Sequence, residues 1–301
     1  MVASKKSAGQ KLVFKKKEIT VEQLENYDFS KAEITIFAAG SEIAKKWASQ
    51  ASKKTIVIDN SKHFRMNQDV PLVVAEVNPQ DIDTHKNIIA NPNCSTIQLV
   101  LPLKPLHDKY KIKRVVVSTY QAVSGAGKAS LDELFSQTKE YLNKKEITSK
   151  NFTKQIAFNL IPHIDSFVEG GYTKEEWKME NETKKILDQK IGLTATCVRV
   201  PVKTSHSESV NIEFEKEFDL ETAKEILKVA PGCKVVDEHV DGGYITPIEA
   251  EEDYLTFISR IRKDNSNKKA LNMWVVSDNL LKGAALNAVQ IADLLIKKNK
   301  N

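Results

Sequence analysis

Apolar runs that end in small or polar residues alternate with stretches of helical spacing along the first hundred residues. Ile34-Thr35-Ile36-Phe37-Ala38-Ala39 is β-branched and closes on Gly40-Ser41, and Glu42 to Gln50 follows with helical spacing. Ile56-Val57-Ile58-Asp59-Asn60 repeats the run, Pro71 to Val77 reads as another strand, and Ile88-Ile89-Ala90 as the end of a buried one. Asn91-Pro92-Asn93 stops it. This alternation predicts a parallel α/β sheet with ligands beyond the C-terminal ends of its strands. Gly40-Ser41 and Asp59-Asn60-Ser61 then face a ligand crevice. Ahead of these, Ser7-Ala8-Gly9 reads as a turn and Val21 to Tyr27 as a short helix capped by Thr20.

From Ser95 an apolar run at helical spacing meets Pro102 and Pro105, which predict a kink or restart. Residues 112–119 form a strand that enters a small, Gly-rich loop, Tyr120 to Gly127, with a helix from Ala129 to Tyr141. Pro162 to Asp165 is a loop, Lys174 to Leu187 a charged helix, and Thr194 to Pro201 a strand leading to His206-Ser207-Glu208-Ser209. Val210 to Phe214 alternates as a strand with one wet face does. A helix (Leu220 to Val229) and two strands (Phe257 to Ile261, Leu271 to Val276) follow. Asn279 to Ile296 is an amphipathic helix with apolar Leu280, Leu281, Ala284, Ala285, Ala288, Ile291 and Leu294 or Leu295. The pattern divides the chain into an α/β unit over 1–93, a larger α+β unit over 94–277, and a return segment over 278–301 without a long linker.

The chain has 301 residues, 41% hydrophobic and 28% charged, ordinary for a globular protein. The 45 basic and 40 acidic residues are interspersed, so the net charge of +5 suits anionic small molecules better than nucleic acid. Three cysteines, Cys94, Cys197 and Cys233, without paired spacing argue against a disulfide framework or a metal site. The opening Met-Val-Ala-Ser-Lys-Lys argues against a signal peptide, and no apolar run reaches membrane-spanning length. A cytoplasmic protein is expected.

Cys94 sits where a strand turns into a helix, at the positive end of the helix dipole, where a thiolate is favoured and nucleophilic. A buried structural cysteine is the plainer alternative. His206, after a strand in a Ser/His-rich turn, suits acid/base work. Arg199, seven residues earlier, suits a bidentate grip on a carboxylate. Gln121 at a strand end can orient a carbonyl. The loop at Ser124-Gly125 can bring backbone N–H groups to a phosphate or simply close a turn.

Several motifs resemble aspartate-semialdehyde dehydrogenases over nearly the whole chain. They are Asn-Pro-Asn-Cys-Ser-Thr at 91–96, Ser-Thr-Tyr-Gln-Ala-Val-Ser-Gly-Ala-Gly at 118–127, Glu-Glu-Trp-Lys at 175–178, Cys-Val-Arg-Val-Pro-Val at 197–202 with His-Ser-Glu-Ser at 206–209, and Met-Trp-Val-Val-Ser-Asp-Asn-Leu-Leu-Lys-Gly-Ala-Ala at 273–285. The resemblance implies NADPH-dependent reductive dephosphorylation of L-aspartyl 4-phosphate by a homodimer or homotetramer. It implies that Cys94 forms a thioester and His206 is the acid/base. Gln121 would position the substrate, Arg199 would bind its α-carboxylate and Glu175 its amine, and Arg65 and Lys178 the phosphate. Ser124 and Gly125 would meet the nicotinamide and Lys6 and Ser7 the 2′-phosphate of NADP, with Gly40, Ser41 and Asn279 as further cofactor contacts. Against that family, Val2 to Gly9 stands where the second strand would be. The resemblance therefore implies a Rossmann-like domain without its first strand and Gly-rich loop, a larger catalytic and dimerisation domain, and a C-terminal helix packed back on the first. The missing loop leaves a non-catalytic dimeric paralogue as the competing reading; an acyl-phosphate or acyl-CoA reductase with another substrate is a third, against which Arg199 and Glu175 together speak.

Overall fold

A computed structural model describes residues 1–298; the last three residues of the expected 278–301 segment lie outside it. The chain opens with β1 (Val2–Ala3), a hairpin of β2 (Lys11–Phe14) and β3 (Lys17–Thr20), and β4 (Glu22–Gln23), which pairs parallel with β1. Lys15 and Lys16 both take positive φ, 46° and 65°, as a mirror-image hairpin turn requires. The helix expected over Val21 to Tyr27 does not form. Val21 N–H donates to Gln10 O and Glu22 N–H to Met1 O, both at 2.9 Å, so strand pairing takes the donors a helix needs. Only Leu24–Asn26 turns, as a single 3₁₀ turn.

The first domain is built on three parallel strands in the order β5 (Ile34–Phe37), β6 (Ile56–Asp59) and β7 (Ile88–Ala90), with α1 (Ser41–Ala51) between the first two. The period of two divides its residues between two faces. Val57, Ile88 and Ala90 pack towards Ala44, Ala48 and Ala51 of α1, while Ile58 and Ile89 pack on the other side. The strand expected over Pro71 to Val77 is reduced to one bridge, Leu72 with Ala90. Asn78 explains this: its Oδ1 accepts from Val74 N–H (2.9 Å) and its Nδ2 donates to Leu72 O (2.9 Å), turning the chain before a ladder can grow.

Next comes α2 (Cys94–Tyr110), one continuous helix through Pro102 and Pro105, so of the kink or restart expected there the restart does not occur. It lies between two cores. Ile97, Val100 and Leu101 belong to the first, and Leu99, Leu103 and Leu106 to the second. A helix buried on both sides is held by packing, which offsets the two backbone bonds the prolines remove.

The second domain contains β8 (Ile112–Gln121), α3 (Lys128–Leu142), α4 (Lys174–Ile186), β9 (Gly192–Arg199), β10 (His206–Phe214), α5 (Leu220–Lys228), β11 (Cys233–Val235), β12 (Thr256–Lys263) and β13 (Ala270–Ser277). Its mixed sheet runs β11-β12-β13-β10-β8-β9 and packs one face on α2, α4 and α5. The chain then returns through a turn, Leu281–Ala285, into α6 (Leu286–Lys298). Ala288, Ile291 and Leu295 of α6 pack on Ile58 and Ile89, so the C-terminal helix lies on the first domain as expected. Burying each such Ile or Leu contributes about 1.5–3 kcal/mol. No helix among the described residues is long and apolar enough to cross a membrane.

Candidate active site

The loops after β6, β7 and β8, the end of β9 and one face of α4 converge on a cleft of about 460 Å³. Cys94, Gln121, Arg199, Glu175, Arg65, Lys178, Ser124, Gly125 and Asn279 all line it. The parallel-strand rule is met on the first domain's side, where Asn60 follows β6 and Asn91 to Cys94 follow β7.

Cys94 is the first residue of α2. Asn93 caps that helix, its Oδ1 accepting from Ser95 N–H (3.0 Å) and Thr96 N–H (3.3 Å). The expectation of a thiolate favoured at neutral pH is corrected by the surroundings. Burial, and then the negative charge of Glu175, push the thiol up to about 11, outweighing Arg199, Arg65 and the Ser95 amide.

Gln121 and Arg199 are register partners across β8 and β9, which brings together residues 78 apart in sequence (199 − 121). Arg199 Nη1 donates to Ala122 O at 2.7 Å, leaving the other guanidinium donors for a ligand. His206 opens β10 and is fully buried. Its Nδ1 accepts from Ala122 N–H at 3.0 Å, and Nε2 has no protein partner. Burial and then Arg199 lower its pKa to about 3, so the ring is neutral. With Nδ1 tied to a donor, the proton of that neutral ring sits on Nε2. Gly125 makes room for both groups: a Cβ there would lie 3.0 Å from His206 Nε2 and 3.2 Å from Arg199 Nη1.

The face of α4 organises the charges. A capping box, Thr173 with Glu176, starts the helix. Glu175 Oε1 accepts from Asn93 Nδ2 (2.9 Å) and Gln121 Nε2 (3.2 Å), and Oε2 from Lys178 Nζ (2.8 Å). Burial is the largest influence on Glu175 and raises its pKa, yet Lys178, Asn93 and Gln121 together hold it down to about 2. Lys178 also reaches Asp165 (2.9 Å); burial works against its charge, but the two carboxylates keep its pKa raised. Arg65 Nη1 donates to Glu182 Oε1 (3.1 Å) and Nη2 to Asn60 O (3.0 Å), while Glu182 Oε2 accepts from Asn93 N–H (2.6 Å).

Three contributors were missed in the sequence. Asn93 was read only as a turn residue, Glu182 was given no role, and Gly283 was unassigned, although a Cβ there would lie 2.9 Å from Cys94 Cβ. The spacing of Glu175, Lys178 and Glu182 at i, i+3 and i+7 was the available signal, since it sets three charges on one helix face. Other sequence candidates lie apart. Ser41 lines an adjoining hollow of about 320 Å³ shared with Lys62, Arg65 and Lys178. Gly40, at φ 83°, precedes α1 as its N-cap, Lys6 and Ser7 stand in the turn after β1, and all three lie outside both linings.

A cysteine opening a helix between a parallel α/β sheet and a mixed sheet is the layout of a two-domain dehydrogenase. Two family models agree: "Semialdehyde dehydrogenase, NAD binding domain" matches residues 1–85 and "Semialdehyde dehydrogenase, dimerisation domain" residues 103–282. Among relatives, aspartate-semialdehyde dehydrogenase of Aquifex aeolicus (strain VF5) is 53% identical over 304 residues, covering 99% of this chain and 89% of the relative. The structure of aspartate semialdehyde dehydrogenase II complexed with ASA from Vibrio cholerae superposes with TM-score 0.95 at 45% identity, over 98% of this chain and 89% of that one. That of Candida albicans with NADP gives TM-score 0.75 at 27% identity, over 99% and 90%. The chain belongs to the aspartate-semialdehyde dehydrogenase family. It is an oxidoreductase with a nicotinamide-nucleotide-binding domain and a dimerisation domain.

Proposed function

We propose that the chain reductively dephosphorylates L-aspartyl 4-phosphate to L-aspartate 4-semialdehyde with NADPH, serving lysine, diaminopimelate, methionine and threonine biosynthesis in the cytoplasm. The observation that carries this reading is one cleft holding a thiol, an arginine, a glutamate and a basic wall. Arg199, with donors to spare, takes the substrate's α-carboxylate. Glu175, ionised down to about pH 2, takes the amine. Arg65 and Lys178 take the phosphate, a planar fork and a point charge respectively. Gln121 steers the acyl group to Cys94.

The Cys94 sulfur attacks the acyl phosphate, its thiol proton passes to the departing phosphate oxygen, and inorganic phosphate leaves a thioester behind. His206 Nε2–H donates to the acyl oxygen as charge gathers there and holds that proton at Nε2, since Nδ1 remains on Ala122 N–H. The thiolate departs when the aldehyde forms and regains its proton from water. Gly125, without a side chain, and the Ser124–Asn279 pair, in contact at 3.1 Å, fit the nicotinamide end of the cofactor. When bound, NADPH supplies the hydride. Asn279 Oδ1 also accepts from Ser205 N–H at 2.9 Å, steadying the strand end that carries His206. Lys6, Ser7, Gly40 and Ser41 are assigned to the rest of the cofactor, Lys6 and Ser7 to its 2′-phosphate.

Residues 1–93 with 278–301 form the cofactor domain on this reading, supported by the packing of α6 on β6 and β7. Residues 94–277 form the catalytic and dimerisation domain, which pairs with a second copy to give a homodimer or, by further pairing, a homotetramer. The test is phosphate-dependent oxidation of aspartate semialdehyde by the purified chain with NADP⁺ or NAD⁺, alongside Cys94→Ala. Turnover with NADP⁺ that vanishes in Cys94→Ala is expected. Full activity in Cys94→Ala sinks the thioester, and equal use of NAD⁺ sinks the cofactor preference.

A further inference from the structure

The return segment enters α6 through a π-helical turn. Gly283 N–H donates to Asp278 O and Ala285 N–H to Leu280 O, both at 3.1 Å and both five residues apart. Such turns cluster at functional sites because they place one residue out of helical register. Here the displaced residue is Gly283, which lies against Cys94 so closely that a Cβ would approach Cys94 Cβ to 2.9 Å.

A buried polar network holds the turn. Lys282 is 0% exposed. Its Nζ donates to Glu76 Oε2 (2.5 Å), Gln290 Oε1 (2.7 Å) and Asn287 Oδ1 (3.3 Å), which uses all three ammonium protons. Asn287 Nδ2 donates to Asn91 Oδ1 (2.6 Å) and Val73 O (2.9 Å). Asn91 Nδ2 donates in turn to Ala284 O (3.1 Å). The network therefore starts in the loop that carries Cys94 and closes on the turn that abuts it. An apolar side chain of similar length would fill the same space without the desolvation cost of a buried ammonium. What it would not supply is three directed bonds that allow a single arrangement of the turn.

We propose that Lys282 is a positioning residue for Cys94: by locking the π-turn it seats Gly283 against the cysteine and sets where the thiol stands in the cleft. The proposal rests on Cys94 being the nucleophile. It concerns acyl transfer rather than substrate grip, since the network makes no contact with Arg199 or Glu175.

The experiment uses the full chain carrying Lys282→Met. Steady-state kinetics are measured with the rate of Cys94 alkylation by iodoacetamide, read by mass spectrometry. A loss of kcat of about tenfold to a hundredfold is expected, as for a small misplacement of a reacting atom. The alkylation rate should change with it, and KM for aspartate semialdehyde should stay within about threefold. A merely structural role would lower the melting temperature while leaving kcat per titrated active site and the alkylation rate in place; that result overturns the proposal. Gly283→Ala, with the network intact, presses on Cys94 directly and keeps the test open should Lys282→Met not fold. It should show the same kcat loss with native circular dichroism, and wild-type kinetics in it also overturn the proposal. Cys94→Ala in the same assay separates the two readings. Activity there refutes the nucleophile; an inactive Cys94→Ala beside a wild-type-like Lys282→Met refutes the positioning role alone.

Discussion

Gly125→Ala crowds His206 and Arg199 at once. The added methyl would stand 3.0 Å from His206 Cε1 and Nε2 and 3.2 Å from Arg199 Nη1, against ordinary contact from 3.4 Å. The ring has to retreat by 0.4 Å (3.4 − 3.0) and the guanidinium by 0.2 Å (3.4 − 3.2). Neither group is free to do so: His206 Nδ1 is held by Ala122 N–H at 3.0 Å and Arg199 Nη1 by Ala122 O at 2.7 Å. The backbone at Gly125 is not in the left-handed region, so any loss comes from the displaced side chains. Overpacking costs about 1–3 kcal/mol of stability. The kinetic cost is larger in kind, a fall in kcat/KM of about tenfold to a hundredfold for groups displaced from reacting geometry. The assay is phosphate-dependent reduction of NADP⁺ with aspartate semialdehyde, with thermal unfolding followed by circular dichroism. A kcat/KM within about twofold of wild type in a folded variant would refute the crowding argument and with it the proton-donor role proposed for His206.

Arg199→Lys removes the planar fork, so KM for aspartate semialdehyde should rise at least about tenfold with NADP⁺ binding unchanged, and unchanged kinetics would remove the carboxylate assignment. His206 titrates near 3 in the fold against an ordinary 6.5, so between those values the unfolded chain binds a proton the native chain does not. Its stabilisation is therefore complete above about 6.5 and declines by about 1.4 kcal/mol per pH unit as acid is added towards 3. Denaturant titrations across that window should show a shallower slope in His206→Asn, and identical slopes would count against a neutral buried ring. Ile291→Ala on α6 should cost about 2–5 kcal/mol, and a negligible shift in midpoint would mean that α6 is not seated on β6 and β7.

Short-range chemistry was legible in the residues themselves. Apolar β-branched runs closing on small or polar residues marked Ile34 to Phe37 and Ile56 to Asp59 as strands, and the period of two marked Val210 to Phe214, because alternation reports which side of a sheet is wet. Asn-Pro-Asn before Cys94 marked a strand stop with a helix beyond it, and both are there; that Asn93 also caps the helix through Ser95 and Thr96 is visible only in the fold. The family motifs placed Cys94, Gln121, Arg199 and Glu175, and the structure brings all four to one cleft.

Other features depended on groups far away in the chain. The expected helix over Val21 to Tyr27 gave way to pairing with β1, about 20 residues upstream (22 − 2). Pro102 and Pro105 did not break α2 because packing on two cores outweighed two lost hydrogen bonds. The dipole at Cys94 suggested a thiolate, but a dipole is a local property and desolvation is not; only the folded cleft shows which prevails. Lys282 stands in a stretch that reads as one continuous amphipathic helix. It became a buried cation in a π-turn because Glu76, 206 residues earlier, lies within hydrogen-bonding reach. Residue identity and local spacing settle which side chains could do the chemistry and which local turns carry them. Tertiary structure alone decided their protonation, their mutual distances and the inner brace, since each of these is set by the dielectric and by partners that chain order does not reveal.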